Sequence, residues 1–435
     1  MIHGPLEMHD KVDALLKKLF PLHRSLTGNG NRETLKILKS LVPSLTINEV
    51  PSGLPAYDWE IPREWSIKNA YIREKGGRYI CSLDSSNLHV VAYSVAVNKT
   101  LCKTELIKHL HWLEDQPDAI PYVTSYYREY WGFCVTKSIV STLREVEYEV
   151  FIESSHFAGS MSFGEIFLPG KSKREVVFST YICHPSLANN ELSGPILSIC
   201  LAEILSRKSN YYSYRFLFLP ETIGSIYYIS KSLDKLKKYA MAIFVITCVG
   251  DDGGPSYLSS RTGNTYADRL ILELERRYEL DLKKFSWLER GSDERQYGSP
   301  GVDLPVASLM RSKYGQYPEY HTSYDNLSLV KAKNILESLH LYEKLIEINE
   351  QSRFYVNKHN CEPMLSKRNL YPTISDLSTQ SSVADMLNVL SFADGRYSDI
   401  DIANAINLSL ESTQKYLEKL ELHQLVKAVS LDAFN

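Results

Sequence analysis

The order of apolar and polar positions divides the chain into segments of different texture. From Met8 to His23 and from Arg32 to Leu41 apolar residues recur at helical spacing, with the polar stretch SLTGNGN between them, so two helices joined by a turn are predicted. After Pro51 a proline-rich stretch leads into short alternating or aromatic runs (AYIRE, RYICSL, HVVAYSV, YEVFIE, GEIFLPG), which predict a mostly β insert. Its aromatic string IPYVTSYYREYWGF reads as the packed face of a sheet, with a substrate wall as the alternative.

From Glu175 continuous apolar strands alternate with helices. VVFSTYI, YRFLFLP, MAIFVITCVG and LPVASLM are the strands, and the helices begin at PILSIC, IYYISK, TYADRL and LVKAKN. Strands apolar on both faces belong to a parallel sheet covered by helices, and such sheets carry their sites just past the strand C-termini. After a polar linker around Cys361 to Thr379, the order is helix, turn, helix, a capping Ser409, helix and the short strand VKAVS. That order predicts a winged helix. The expected division is 1–56 for the N-terminal helices of the core, 57–170 for the insert, 171–355 for the α/β core and 366–435 for the winged helix.

Composition narrows the classes. With 435 residues, 44% hydrophobic and 23% charged, the chain is long enough for several domains and is neither disordered nor low-complexity. Its formal charge of -3, from 49 basic and 52 acidic side chains, gives no global pull toward phosphate or anionic lipid. The winged-helix segment carries six Lys or Arg against nine Asp or Glu between residues 366 and 435, so docking to protein or simple packing is expected there, not nucleic-acid binding. The N-terminus lacks an export pattern, and no uncharged apolar run approaches the roughly 20 residues of a membrane span. Seven cysteines without a CxxC pair fit a reduced cytoplasm and exclude a cysteine zinc site. A cytoplasmic location is expected; the oligomeric state is not legible.

Four polar clusters follow predicted strands or sit in long turns: His184 with Asn189, Asn190 and Glu191; Glu221; Asp251 with Asp252; and Asp293 with His321. A hydrolytic metal needs imidazole and carboxylate ligands in an apolar pocket with a position open for water, and these turns hold the right side chains. Each also has a plainer reading. His184 can be a hydrogen-bonded histidine closing a strand, Glu191 an ordinary acid at a helix start, Glu221 a solvated loop acid, and Ser323 and Asp325 a helix cap.

The motifs HPSLANNELSG, PETIGS, GSDERQYGSPGVDLP and YHTSYDNL, with LHRSLTGNGNRETL, PYVTSYYREYWGFC and CVGDDGGPSYLSSRTGNTYADR, resemble those of a bacterial aminopeptidase-like family with a C-terminal winged helix, associated with surface-polysaccharide biosynthesis. That family in turn resembles the co-catalytic zinc aminopeptidases. The resemblance implies an α/β fold with a mostly parallel sheet flanked by helices, and a zinc-dependent hydrolase of a peptide or amide bond in a small substrate. It places the first and last metal-ligating histidines at His184 and His321 and the general base at Glu221. The bridging aspartate falls on Asn190, with Glu191 the adjacent carboxylate, and the second glutamate on Thr222; the nearest acids to the middle aspartate are Asp251 and Asp252. Neutral residues at two ligand positions imply one Zn2+ ion instead of two, because carboxylates must offset the repulsion between paired dications. The expected ligands are His184, His321 and a carboxylate, Glu191 or Asp251; Asp293, Arg295, Tyr320 and Tyr324 are expected to contact substrate. The alternative is a catalytically weak or inactive scaffold that recognises a glycan precursor, a protein partner or DNA.

Overall fold

The computed structural model describes residues 5–370 and 377–429. Residues 1–4, the part of the polar linker at 371–376 and the chain from 430 on, including Ser430 of the predicted VKAVS strand, lie outside the described residues. An eight-stranded sheet organises the fold, in the spatial order Thr46–Pro51, Ser160–Leu168, Ser213–Leu219, Glu175–Tyr181, Ala240–Val245, Val306–Met310, Ser256–Leu258, Lys283–Phe285. Its four central strands, from Ser213–Leu219 to Val306–Met310, are parallel. Beyond Ser213–Leu219, the strand Ser160–Leu168 runs antiparallel to it, and Thr46–Pro51 in turn runs antiparallel to Ser160–Leu168.

Every residue of Glu175–Tyr181 and of Ser213–Leu219 is buried, as expected of strands covered on both faces. Alternation distributes them between two cores. Val176 and Phe178 pack with the helix Ser193–Ser206 on one face, and Val177 packs with Ile223, Ile229 and Leu236 of the helix Ile223–Tyr239 on the other. From Glu175–Tyr181 the chain crosses first to Ser213–Leu219 on one side and then to Ala240–Val245 on the other. Such a switch opens a crevice at the C-terminal ends of the strands. Gly194 lets the helix start close against the sheet: a Cβ there would lie 2.3 Å from the Ile246 carbonyl oxygen.

The insert folds as a four-stranded antiparallel sheet ordered Tyr79–Ser82, Glu64–Glu74, Glu147–Phe157, Val97–Cys102, with its own core around Tyr148, Phe133 and Ile152. The run GEIFLPG, read from sequence as part of the insert, lies at the end of the strand Ser160–Leu168 and pairs with the main sheet. HVVAYSV forms no strand; Val90 and Ala92 make isolated bridges to Phe133 and Thr124.

In the C-terminal module the helices Leu377–Phe392, Asp399–Ala405 and Leu410–Leu422 accompany a three-stranded sheet, and Ser409 caps the last helix through the Ser412 N–H. The central strand of that sheet, Phe354–Asn357, comes directly after the long core helix Ala332–Gln351 and separates Asp394–Ser398 from Val426–Val429. Phe354, Ile400, Ala403, Leu410 and Val429 belong to the main hydrophobic core, so the module is packed into it. No helix among the described residues is long and apolar enough to cross a membrane.

Candidate active site

The turns after the parallel strands converge. His184 follows Glu175–Tyr181, Glu221 follows Ser213–Leu219, and His321 lies in the loop after Val306–Met310. The rings of His184 and His321, 137 positions apart, have centroids separated by 5.5 Å. His184 Nε2 stands 3.6 Å from Glu221 Oε2. His321 Nε2 is buried without a hydrogen-bond partner, as is Asn190 Oδ1.

His184 is fixed from behind. Its Nδ1 donates to Glu191 Oε2 at 2.7 Å, which fixes the ring and points Nε2 toward Glu221. Burial opposes charging of the ring, but the neighbouring Cys183 and Glu191 together raise its pKa. His321 is pushed down to about 3 by burial and by His184, so its ring is a neutral donor of a lone pair. Glu191 sits in the π-helical turn Ala188–Leu192 that opens the helix Ser193–Ser206. That turn is held by Asp325, whose carboxylate accepts the N–H groups of Ala188, Asn189 and Asn190 at 3.0, 2.5 and 3.0 Å.

Glu221 receives Ser292 Oγ–H on Oε1 at 2.8 Å. Burial raises its pKa, opposed by His184, Ser292 and Arg295. Thr222 adopts a left-handed φ of 67°, and its N–H is taken by Asp293 Oδ1 at 2.7 Å. His321 also has a left-handed φ, of 56°, a conformation that persists in a non-glycine residue only where its surroundings enforce it. The enforcement comes from the insert: Tyr122 N–H donates to the His321 carbonyl and Ser323 N–H to that of Ile120, both at 2.9 Å. The Tyr122 ring lies 5.0 Å from that of His184 and 5.2 Å from that of His321, and its hydroxyl meets that of Tyr126 at 3.0 Å. Leu26, Trp59, Tyr126, Tyr127 and Ile223 line a cleft of about 290 Å³ that reaches Cys183, His184 and Glu221.

Of the residues singled out in the sequence, His184, Glu191, Glu221 and His321 are brought together. Asp251 has no hydrogen bond or ion pair to either histidine among the described residues; its oxygens accept Asn189 Nδ2 at 2.6 Å, Gly253 N–H at 2.6 Å and Ser312 Oγ at 2.8 Å. Asp252 pairs with Lys331. Asp293 is buried beneath Thr222 and Ser225, with its pKa raised to about 7 by burial and by Glu221. Arg295 is exposed and donates to Thr222 Oγ1, Tyr320 stacks on His321 with centroids 3.9 Å apart, and Tyr324 is exposed. Among the described residues, Cys183, His184 and Glu191 have possible ligand atoms that all lie within 4.8 Å of one another. Burial raises the Cys183 thiol to about 11, so it is not a ready thiolate.

The profile of a domain of unknown function, DUF4910, matches residues 13–352, and that of a winged helix-turn-helix matches residues 353–428. The chain belongs to the DUF4910 family. A Clostridium acetobutylicum protein described as a polysaccharide biosynthesis protein with an aminopeptidase-like domain is 40% identical over 430 residues, 98% of each chain. A crystal structure from Clostridium acetobutylicum described as a peptidase matches with a TM-score of 0.82 and 39% identity over 97% of each chain. A zinc aminopeptidase from Bacillus subtilis matches with a TM-score of 0.57 at 11% identity, covering 80% of this chain and 95% of that one. A peptidase M28 precursor from Shewanella amazonensis gives 0.56 at 11%, covering 82% and 95%. This DUF4910 chain therefore has the aminopeptidase-like fold, with a winged helix at its C-terminal end.

Sequence reasoning missed Arg24, whose Nε donates to the His184 carbonyl at 3.0 Å, together with Ser292 and the Tyr122–Tyr126 pair. Tyr122 and Tyr126 lie in the aromatic string read as a packed sheet face, and that string is a wall of the site. The alternation of polar and aromatic residues in it was the available signal.

Proposed function

We propose that this chain is a zinc-dependent hydrolase of a peptide or amide bond, holding one metal ion. The observation that carries the proposal is the convergence of two histidines from distant loops beside Glu221, with His321 Nε2 buried and unpartnered. The donor set suits one ion: two imidazole nitrogens, with the unpartnered amide oxygen of Asn190 on the same turn as Glu191. Centroids of two imidazoles on a common ion at about 2.0–2.1 Å are expected roughly 5 Å apart, close to what is seen. It does not suit two, because Asn190 and Thr222 carry no charge.

His184 and His321 would hold the ion through Nε2, and Glu191 would keep the His184 ring in place. When bound, zinc would polarise the scissile carbonyl and acidify a water. Glu221 takes the proton of the attacking water at Oε2 and returns it to the leaving amine, with Ser292 keeping Oε1 in place. Tyr122 and Tyr126 exclude bulk water from above. Arg295, which donates to Thr222, and Tyr320, which stacks on His321, are close enough to the site to contact the rest of the substrate; Tyr324 is exposed nearby in sequence. Asp293 acts from behind by fixing Thr222, and Asp251 has no part in the chemistry. The relative's name, which joins polysaccharide biosynthesis to an aminopeptidase-like domain, makes a glycan-linked amide a natural substrate to try.

Neutral Asn190 and Thr222 favour a second reading, a binding protein that retains the pocket without turnover. Glu221→Gln separates the two. The hydrolase predicts that it keeps its zinc and loses about 10²–10⁴-fold in kcat on amino-acyl and acyl-amino-sugar libraries. Zinc-loaded wild type that turns over nothing in those libraries supports the binding protein.

A further inference from the structure

The motif LHRSLTGNGNRETL has no share in the chemistry above, yet it sends a fully buried guanidinium into the back of the site. Arg24 is 0% exposed. Its Nε donates to the His184 carbonyl at 3.0 Å and Nη1 to the Leu19 carbonyl at 2.6 Å, while Nη2 has no partner. The same Nε lies 3.7 Å from Glu191 Oε1, which has no hydrogen-bond partner of its own. Glu191 is also 0% exposed.

The loop is built to hold this placement. Asn31 brackets Ser25, accepting its N–H at 3.2 Å and donating to its carbonyl at 2.7 Å. Gly30 packs so closely that a Cβ would lie 2.0 Å from the His23 carbonyl oxygen. An uncompensated buried carboxylate is costly, and a guanidinium anchored by two backbone carbonyls is a cation that cannot dissociate.

We propose that Arg24 does the charge-balancing work of a second metal ion. By neutralising Glu191 it keeps that carboxylate as the acceptor of the His184 Nδ1 proton instead of a metal ligand, aims Nε2 at the cleft, and leaves one cation site. This rests on the one-ion hydrolase reading. Arg24 is a positioning residue: it touches neither ion nor substrate and acts through Glu191 and His184.

The test uses the full-length chain and the variants Arg24→Met, Arg24→Lys, Glu191→Gln and the double Arg24→Met/Glu191→Gln, with two readouts. In metal-free protein, thermal unfolding measures the coupling; Arg24→Met is expected to melt lower, and the double variant to recover part of that loss. Zinc titration against a chromophoric chelator then measures the site. Wild type is expected to take one equivalent, Arg24→Met and Glu191→Gln still one but about 10–100-fold more weakly, and Arg24→Lys to recover most of the affinity. Losses that simply add in the double variant overturn the pairing. Wild-type zinc affinity in Arg24→Met overturns the positioning role, and complete loss of zinc in Glu191→Gln makes Glu191 a ligand and overturns the proposal as stated. If Arg24→Met does not fold, Arg24→Lys and Glu191→Gln carry the same test. Wild type that takes up no zinc overturns the hydrolase reading and the ion substitution together, whereas additive melts with zinc still bound overturn the Arg24 claim alone.

Discussion

Glu221 and Asp251 are both acids in the turn after a buried parallel strand, and what separates them is the donors within reach. Asn189, Gly253 and Ser312 converge on Asp251, whereas Glu221 has Ser292 on one oxygen and faces His184 with the other. The donors to Asp251 include residues 62 positions before and 61 after it, so no local pattern announces that it is structural. The same is true of Arg24, which reaches His184 across 160 positions. Residue type and position in turns past the sheet singled out His184, Glu221 and His321 as candidates, and the family resemblance gave them roles; which acids are already engaged was not legible, because that depends on partners from other turns. Away from the site, His89 is buried and its Nδ1–H donates to the Cys134 carbonyl at 2.7 Å, and burial lowers its pKa. With the folded pKa below the unfolded value of about 6.5, the unfolded chain binds the extra proton as pH falls, so this contribution to stability is intact above that value and is lost below it. The urea midpoint is expected to drop between pH 7.5 and 5.5, and to drop less in His89→Gln; equal slopes in the two proteins would remove His89 from the account.

At the scale of elements, continuous apolar runs gave the buried strands and 3.6-residue spacing gave the helices, because both patterns are local. Two features were beyond that kind of signal. One is the aromatic segment around Tyr122, whose backbone pairs with the His321 loop 200 positions on. The other is the strand Phe354–Asn357, four residues long and without alternation, which becomes a strand by lying between Asp394–Ser398 and Val426–Val429. Phe354 is 4% exposed, belongs to the main core and carries the Arg174 guanidinium 3.6 Å above its ring. Phe354→Ala is expected to cost about 3–5 kcal/mol in chemical denaturation. A loss below 1 kcal/mol would mean that this strand does not join the module to the core.

For the whole molecule, fusion of the C-terminal module to the core bears on what it can do. Helix-turn-helix proteins read base edges with the N-terminal residues of the recognition helix. Here Leu410, the first residue of the helix Leu410–Leu422, is 2% exposed and packs in the main core, and it lines a cavity with Arg269 and Arg276 of the helix Tyr266–Tyr278. Lys415 on its open face pairs with Glu411. A mixed-sequence duplex is therefore expected to show no retardation even at about 50 mM salt, where phosphate contacts are strongest. Salt-sensitive retardation at that concentration would return nucleic acid to the account.

The central claim is that His184 and His321 share a single cation, and X-ray absorption on zinc-loaded protein tests it directly. One zinc per chain, with two imidazole nitrogens at about 2.0–2.1 Å and one of them lost in His321→Ala, is the predicted result. Two equivalents, a shell without imidazole, or a spectrum unchanged in His321→Ala would contradict it.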